Sequence, residues 1–136
     1  MALTLASAIA MARLRALRTN LLPLHRALID FERERYERAH GPLESAHQAL
    51  DLVMHDPWFE WLRPFAALIV QIDERLAEER QIADAEVATF SRQVRSLLQI
   101  GDAGDVFREG YQRALQEQPD VVMAHGQMVK TLADLK

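Results

Sequence analysis

Five histidines and two tryptophans are the side chains of this sequence with the widest capacity for chemistry. Three polar residues, Arg18, His25 and Glu32, follow one another at intervals of seven residues. In a helix this interval places all three on one face, here between two apolar stripes. Polar groups inside an apolar arc need partners, because an unpaired buried charge is costly. The arc predicts either a ligand or metal site, with Tyr36 and the helix of Trp58 opposite, or an internal hydrogen-bond network.

A second polar row contains Glu44, His47, Asp51 and His55 at helical spacing. Carboxylate and imidazole groups one turn apart can share a divalent cation, so His47, Asp51 and His55 are weak candidates for metal ligands. An apolar row lies roughly opposite on the same predicted helix, formed by Ala46, Ala49, Leu50, Val53 and Met54. This arrangement favours a solvated polar face, where nothing would orient metal ligands.

The most distinctive string is His-Asp-Pro-Trp-Phe-Glu-Trp-Leu-Arg-Pro at 55–64. It is typical of a helix start followed by two aromatic core anchors. The functional alternative makes Trp58 and Trp61 the walls of a ligand pocket and Arg63 its anion anchor. With Leu-Pro-Leu-His at 22–25 and the stretch 36–41, the string resembles a group of short bacterial all-helical proteins. This resemblance implies a bacterial, cytoplasmic, all-helical protein and implies no activity.

Several classes of catalytic or cofactor site are excluded by the residues present. The chain has no cysteine, which removes thiolate metal sites, disulfides and a catalytic thiol. A di-iron bundle needs paired Glu-x-x-His motifs, and Glu44 with His47 is a single copy. A haem would need a buried axial imidazole, but His125 is better explained as a core histidine with an internal partner. We therefore expect no cofactor, no catalytic residues and no enzymatic activity.

Hydrophobic periodicity predicts helices along the whole chain. Apolar residues three and four apart define a first helix of about 3–39, with the core stripe Leu14, Leu17, Leu21, Leu24, Leu28 and Phe31. The stripe stays in phase across Pro23, which predicts one kinked helix rather than two. Ser45 with Gln48 resembles a capping box that opens a second helix, ending near His55.

The remaining helix starts come from cap residues and prolines. Asp56 with Pro57 predicts a third helix that continues through Pro64, since its stripe again stays in phase. Later starts are expected at Asp84, Asp105 and Pro119, with Gly101 closing the fourth helix. The fold class predicted is an all-α bundle with a long proline-kinked first helix and about five further helices, in one domain covering 1–136.

The first twenty residues form an apolar N-terminal arm of the first helix. A straight helix of this length would be roughly 55 Å long. It should overhang a chain of this size, exposing a set of apolar side chains to water or to a second subunit. That predicted oligomer interface consists of Leu3, Leu5, Ile9, Met11, Leu14 and Leu17. A homodimer is the simplest arrangement, with Arg13, Arg15 and Arg18 meeting acidic residues at 74–79 of the partner.

Composition supports these expectations and limits the partners. The 136 residues are 49% hydrophobic and 26% charged, with a net charge of −4. This balance gives no general attraction to nucleic acid or anionic membranes. The apolar N-terminus lacks the preceding positive charges of a secretory signal, so we expect a cytoplasmic protein. The sequence favours a protein-interaction module that self-associates; the alternative is a small-ligand or metal-binding bundle using His25, Glu32 and Tyr36.

Overall fold

The computed structural model describes residues 4–98 and 106–135, with side chains in the second range from Glu109 onward. Within those ranges the chain is helical, without strands. The α-helices are α1 (Leu5–His40), α2 (Ala46–His55), α3 (Arg63–Ala77), α4 (Asp84–Leu98), α5 (Val106–Glu117) and α6 (Pro119–Asp134). A short 3-10 helix, Pro57–Leu62, precedes α3. The predicted all-α class, long first helix and five further helices are confirmed.

Helix α1 is the central element of the bundle, and it packs against α3, α4, α5, α6 and the 3-10 helix. Its predicted stripe is the core stripe, since every leucine from Leu14 to Leu28 in that series is fully buried and Phe31 is nearly so. Complete burial of one such side chain stabilises the fold by about 1.5–3 kcal/mol. Facing residues of the core include Phe65 and Ile72 of α3, Val94 of α4 and Met128 of α6.

The two internal prolines behave differently. Pro23 lies inside the uninterrupted helix α1 on its exposed side, as its off-stripe position predicts. Pro64 does not lie in the interior of one continuous helix, so that expectation is wrong. The backbone stays helical but changes from a 3-10 helix to an α-helix at Arg63, which places Pro64 in the first turn of α3. Proline is tolerated there because a first-turn N–H has no intrahelical acceptor.

Several helix ends follow the predicted capping chemistry. Gly41 ends α1 with a φ of 92°, a conformation that side chains with a Cβ rarely adopt. The Ser45 hydroxyl accepts a hydrogen bond from the Gln48 N–H, while the Gln48 side chain accepts from the Glu44 N–H. Asp84 is not the cap of α4. It is the first helical residue, and Glu86 accepts from the Ala83 N–H instead.

The N-terminal arm packs on its own bundle, which corrects the expected overhang. Leu14 and Leu17 are fully buried in the core of their own chain, so they do not form an oligomer interface. The Ser7 hydroxyl, also buried, accepts a hydrogen bond of 2.8 Å from the Ile82 N–H in the loop before α4. The bundle is not confined to the middle of α1, as an overhang would require. The packing partners of α1 are distributed along it, from the loop before α4 beside Ser7 to the 3-10 helix beside Tyr36.

Other parts of the arm differ in exposure. Leu5 and Ile9 remain exposed, and Met11 is half-buried. Leu3 lies outside the described residues, as do the predicted boundaries at Gly101 and Asp105. None of the described helices combines the length and apolar character needed to cross a membrane.

Candidate functional site

The polar arc of α1 does not converge on one site. Arg18 forms an ion pair with Asp73 of α3, with both side chains about two-fifths exposed. The acidic partner of this arginine is therefore in its own chain, not in the 74–79 segment of a second subunit. His25 is half-buried beside Phe65, with ring centroids 6.4 Å apart. Each member has a different neighbour, so the three residues make separate contacts.

Glu32 is the buried carboxylate of this arc, with 1% of its surface exposed. Nη1 of Arg35, one turn later, donates to both carboxylate oxygens at 2.7 and 3.0 Å. The Arg35 guanidinium also lies 5.3 Å from the ring centroid of Trp58, within cation–π range. Arg35, which the sequence reading did not single out, thus links the acid to the aromatic string.

Tyr36 belongs to an aromatic cluster at the C-terminal end of α1. Its ring stacks on His40 at 4.3 Å and meets the edge of Trp58 at 5.5 Å. Trp58 connects it to Glu32 indirectly, since Trp58 contacts both Tyr36 and Arg35, and Arg35 is bonded to Glu32. No hydrogen bond joins His25, Glu32 and Tyr36 to one another within the described ranges, so the structure does not assemble these three residues as predicted.

An open groove lies where α1, the 3-10 helix and α5 meet, with a volume of about 230 Å³. It is lined by Glu32, Arg35, Trp58, Trp61, Glu109, Gly110 and Arg113. Both tryptophans therefore line one groove, together with Glu32 from the polar arc. The residues missed by sequence reasoning are Arg35, Glu109 and Arg113. Periodicity cannot indicate which turn of α5 faces the tryptophans, because that depends on how distant helices pack.

Arg63 is not the cation of this groove, which corrects its predicted role. Nη2 of Arg63 donates to the backbone carbonyl of Asp56 at 2.9 Å, so the side chain braces the start of the 3-10 helix. The Asp56 carboxylate in turn accepts from the Trp58 N–H. The cations beside the tryptophans are Arg35 and Arg113.

The His47, Asp51 and His55 row lies on the exposed side of α2, as the solvated-face interpretation predicts. Nε2 of His55 is 4.0 Å from Oδ1 of Asp51, and both side chains are about two-thirds exposed. In the part of the chain that the structure describes, no three histidine, aspartate or glutamate residues are grouped to hold a metal ion.

The apolar row of α2 is only partly covered by the rest of the chain, contrary to what its composition suggests. None of the residues of α2 is buried. Leu50 and Met54, one turn apart, are 57% and 55% exposed, while Leu52 and Val53 pack partly against the core. Part of a stripe that would ordinarily be buried in a bundle thus faces solvent beside the histidine row.

His125 has an internal partner, as expected of a core histidine. The Tyr111 hydroxyl lies 2.6 Å from Nδ1 of His125, and Tyr111 is almost completely buried. The ring of Tyr111 also stacks on Phe65, which lies beside His25. Burial lowers the pKa of both His25 and His125 and raises the pKa of the Tyr111 hydroxyl. These groups form an aromatic row through the core.

Comparison with known proteins adds no functional assignment: no protein-family model, no curated protein and no solved structure matches the chain.

Proposed function

We propose that this chain is a non-enzymatic protein-interaction module that binds a second copy of itself through α2. The observation that carries the proposal is the exposure of Leu50 and Met54 on a helix with no buried residue. Exposed apolar side chains one turn apart are typical of a helix that docks on a partner. We refer to Ala46, Leu50 and Met54, which share one exposed side of α2, as the α2 face.

The charges beside the α2 face favour a second copy as the occupant. Along the chain they alternate as Glu44, His47, Asp51 and His55, all exposed. In an antiparallel pair related by a two-fold axis, each row of side chains meets the same row of the partner in reverse order. An axis near residue 49 sets His47 against the partner's Asp51 and Glu44 against the partner's His55. An imidazole N–H can donate to a carboxylate in either protonation state, so the row is self-complementary.

The size of the α2 face sets the strength of this association. With 10 residues, α2 is about 15 Å long. A helix pair of that length buries less than the roughly 1,200 Å² of a stable interface. We therefore expect a weak, concentration-dependent dimer rather than a permanent one.

The N-terminal arm is a second apolar surface for the same partner. Leu5 is 78% exposed and Ile9 is 47% exposed, whereas Leu14 and Leu17 are fully buried in the core of their own chain. The dimer through the arm therefore has much less apolar area to bury than the sequence suggested. A cytoplasmic location and kinship with short bacterial helical proteins belong to the same proposal.

Sedimentation over a concentration series tests this function. Leu50→Glu places a charge on the α2 face, and we expect it to abolish the self-association of the natural chain. Val70→Glu is the matched control, because Val70 is 52% exposed on α3. Leu5→Glu measures how much the N-terminal arm contributes to self-association. A chain that stays monomeric at millimolar concentration, or a Val70 variant impaired as much as the Leu50 variant, would contradict the proposal.

A further inference from the structure

The groove between α1, the 3-10 helix and α5 has the size and walls of a site for one aromatic ring. The groove is lined by Trp58 and Trp61, which are the two tryptophans of the sequence. A cavity of about 150 Å³ with apolar walls can hold benzene. The 230 Å³ here leaves room for a ring and a small substituent.

The polar lining of the groove is richer in free donors than in free acceptors. Glu32 is buried, and both its oxygens are taken by Nη1 of Arg35. A guanidinium has five N–H donors, so Nε and Nη2 of Arg35 remain available. Arg113 has no ion pair or hydrogen bond within the described part of the chain. Glu109, whose side chain is exposed, also lines the groove and supplies a carboxylate there.

The indole N–H of Trp58 provides an independent observation. Nε1 is shielded from solvent and has no hydrogen-bond partner among the described residues. A buried polar group without a partner costs about 1–3 kcal/mol, so such groups are usually paired with protein, water or ligand. This donor lies in a residue that lines the groove, and an acceptor atom of a ligand would reach it after a rotation of the indole.

From these features we infer that the groove binds a small planar aromatic carboxylate. The ring would lie against the indoles, and the carboxylate would be held by Arg113 and the free N–H groups of Arg35. Guanidinium suits this ligand because its planar fork of donors matches the two oxygens of a carboxylate. The inference goes beyond self-association and is independent of it, since none of the groove residues belongs to the α2 face.

The test follows the two indole N–H signals in an NMR titration of the full chain with benzoate. We expect both signals to shift with one saturation curve and a dissociation constant on the order of 1 mM. Benzamide, which keeps the ring without the charge, and acetate, which keeps the charge without the ring, should each bind at least tenfold more weakly. Unmoved indole signals, or equal binding of benzoate and benzamide, would overturn the inference.

Two variants with the same charge change locate the site. Arg113→Gln should weaken benzoate binding about tenfold, the loss expected for one charge-assisted pair. Arg26→Gln removes an exposed arginine of α1 that does not line the groove, and it should leave the affinity unchanged. Equal affinities of the two variants would show that benzoate responds to net charge rather than to this site.

Discussion

Gly110 of α5 lies directly against the indole of Trp61. A Cβ added at Gly110 would sit 2.7 Å from two atoms of the indole ring. From the sequence alone, a glycine inside a helix is only a weak point, because glycine lowers helix stability. The structure shows that it permits the close approach of α5 to the 3-10 helix, and so forms one wall of the groove.

We predict that Gly110→Ala lowers the free energy of unfolding by about 1–3 kcal/mol, the usual cost of overpacking. The new methyl group must displace the Trp61 ring, and that loss exceeds the gain in helix propensity. Urea unfolding followed by circular dichroism measures the change, and the Trp61 indole N–H signal should move.

Gly126→Ala is the matched control, because Gly126 also lies within a helix but a Cβ there would meet nothing within 4 Å. Only the gain in helix propensity should remain, so we expect the free energy of unfolding to rise by about 0.5–1 kcal/mol. If both alanine variants shift stability in the same direction, the close contact with Trp61 does not control the effect.

Much of the fold could be predicted because it depends on local patterns. The stripe from Leu14 to Phe31 specifies both the length of α1 and its buried side, whatever packs against it. The arm could not be predicted in the same way. Whether Leu14 and Leu17 face water depends on where α4 and α6 pack, and no local pattern specifies this.

The half-buried histidines predict a loss of stability in mild acid. Burial lowers the pKa of His25 and His125 in the folded chain, so the unfolded chain binds these protons more readily. Their contribution is complete above an unfolded pKa of about 6.5 and declines as the pH falls below that value. The free energy of unfolding should therefore decrease between about pH 7 and pH 5.

A double variant, His25→Gln with His125→Gln, removes both titrating groups and leaves an amide beside Tyr111. Its free energy of unfolding should depend less on pH over this range than that of the natural chain. His47→Gln with His55→Gln serves as the control, since both residues are exposed. Identical pH slopes for the natural chain and the His25/His125 variant would refute the assignment.

Arg75 and Glu86 give the fold a second pH dependence, at lower pH. Nε of buried Arg75 donates to Glu86 at 2.7 Å, and Nη2 donates to the Gln81 carbonyl at 2.6 Å. The hydrogen bond from Arg75, aided by the Ala83 N–H, lowers the pKa of Glu86 from 4.5 to about 2. This stabilisation is present above pH 4.5 and is lost as the pH falls toward 2.

Glu86→Gln should cost about 1–2 kcal/mol at neutral pH, a value reduced by partial solvent screening. It should also flatten the acid limb of the stability curve in chemical denaturation. Glu78→Gln, which removes the more exposed ion-pair partner of Arg75, should cost less than about 0.5 kcal/mol. An equal loss in the two variants would contradict the role assigned to Glu86.

Residues of the candidate site could be predicted only where they lie on one helix or close together in the sequence. The tryptophans at 58 and 61 and the polar character of Glu32 could be read from the sequence, whereas their neighbours could not. Arg35 stands in a run of alternating charges that is typical of a solvated helix. Arg113 approaches the groove only because Gly110 lets α5 close on Trp61. The exposure of Leu50 was missed for a related reason, since an apolar row says nothing about which element covers it.

Disulfide cross-linking tests the α2 contact most directly, because the chain has no cysteine and each variant therefore carries a single thiol. Leu50→Cys lies near the expected two-fold axis, where two copies would bring their Cα atoms within the roughly 4.4–6.8 Å that a disulfide requires. Val70→Cys supplies an equally exposed thiol on α3. Under mild oxidation at a concentration where the natural chain dimerises, we expect rapid formation of covalent dimer for Leu50→Cys and little for Val70→Cys. Equal cross-linking of the two variants, or none for Leu50→Cys, would contradict self-association through α2.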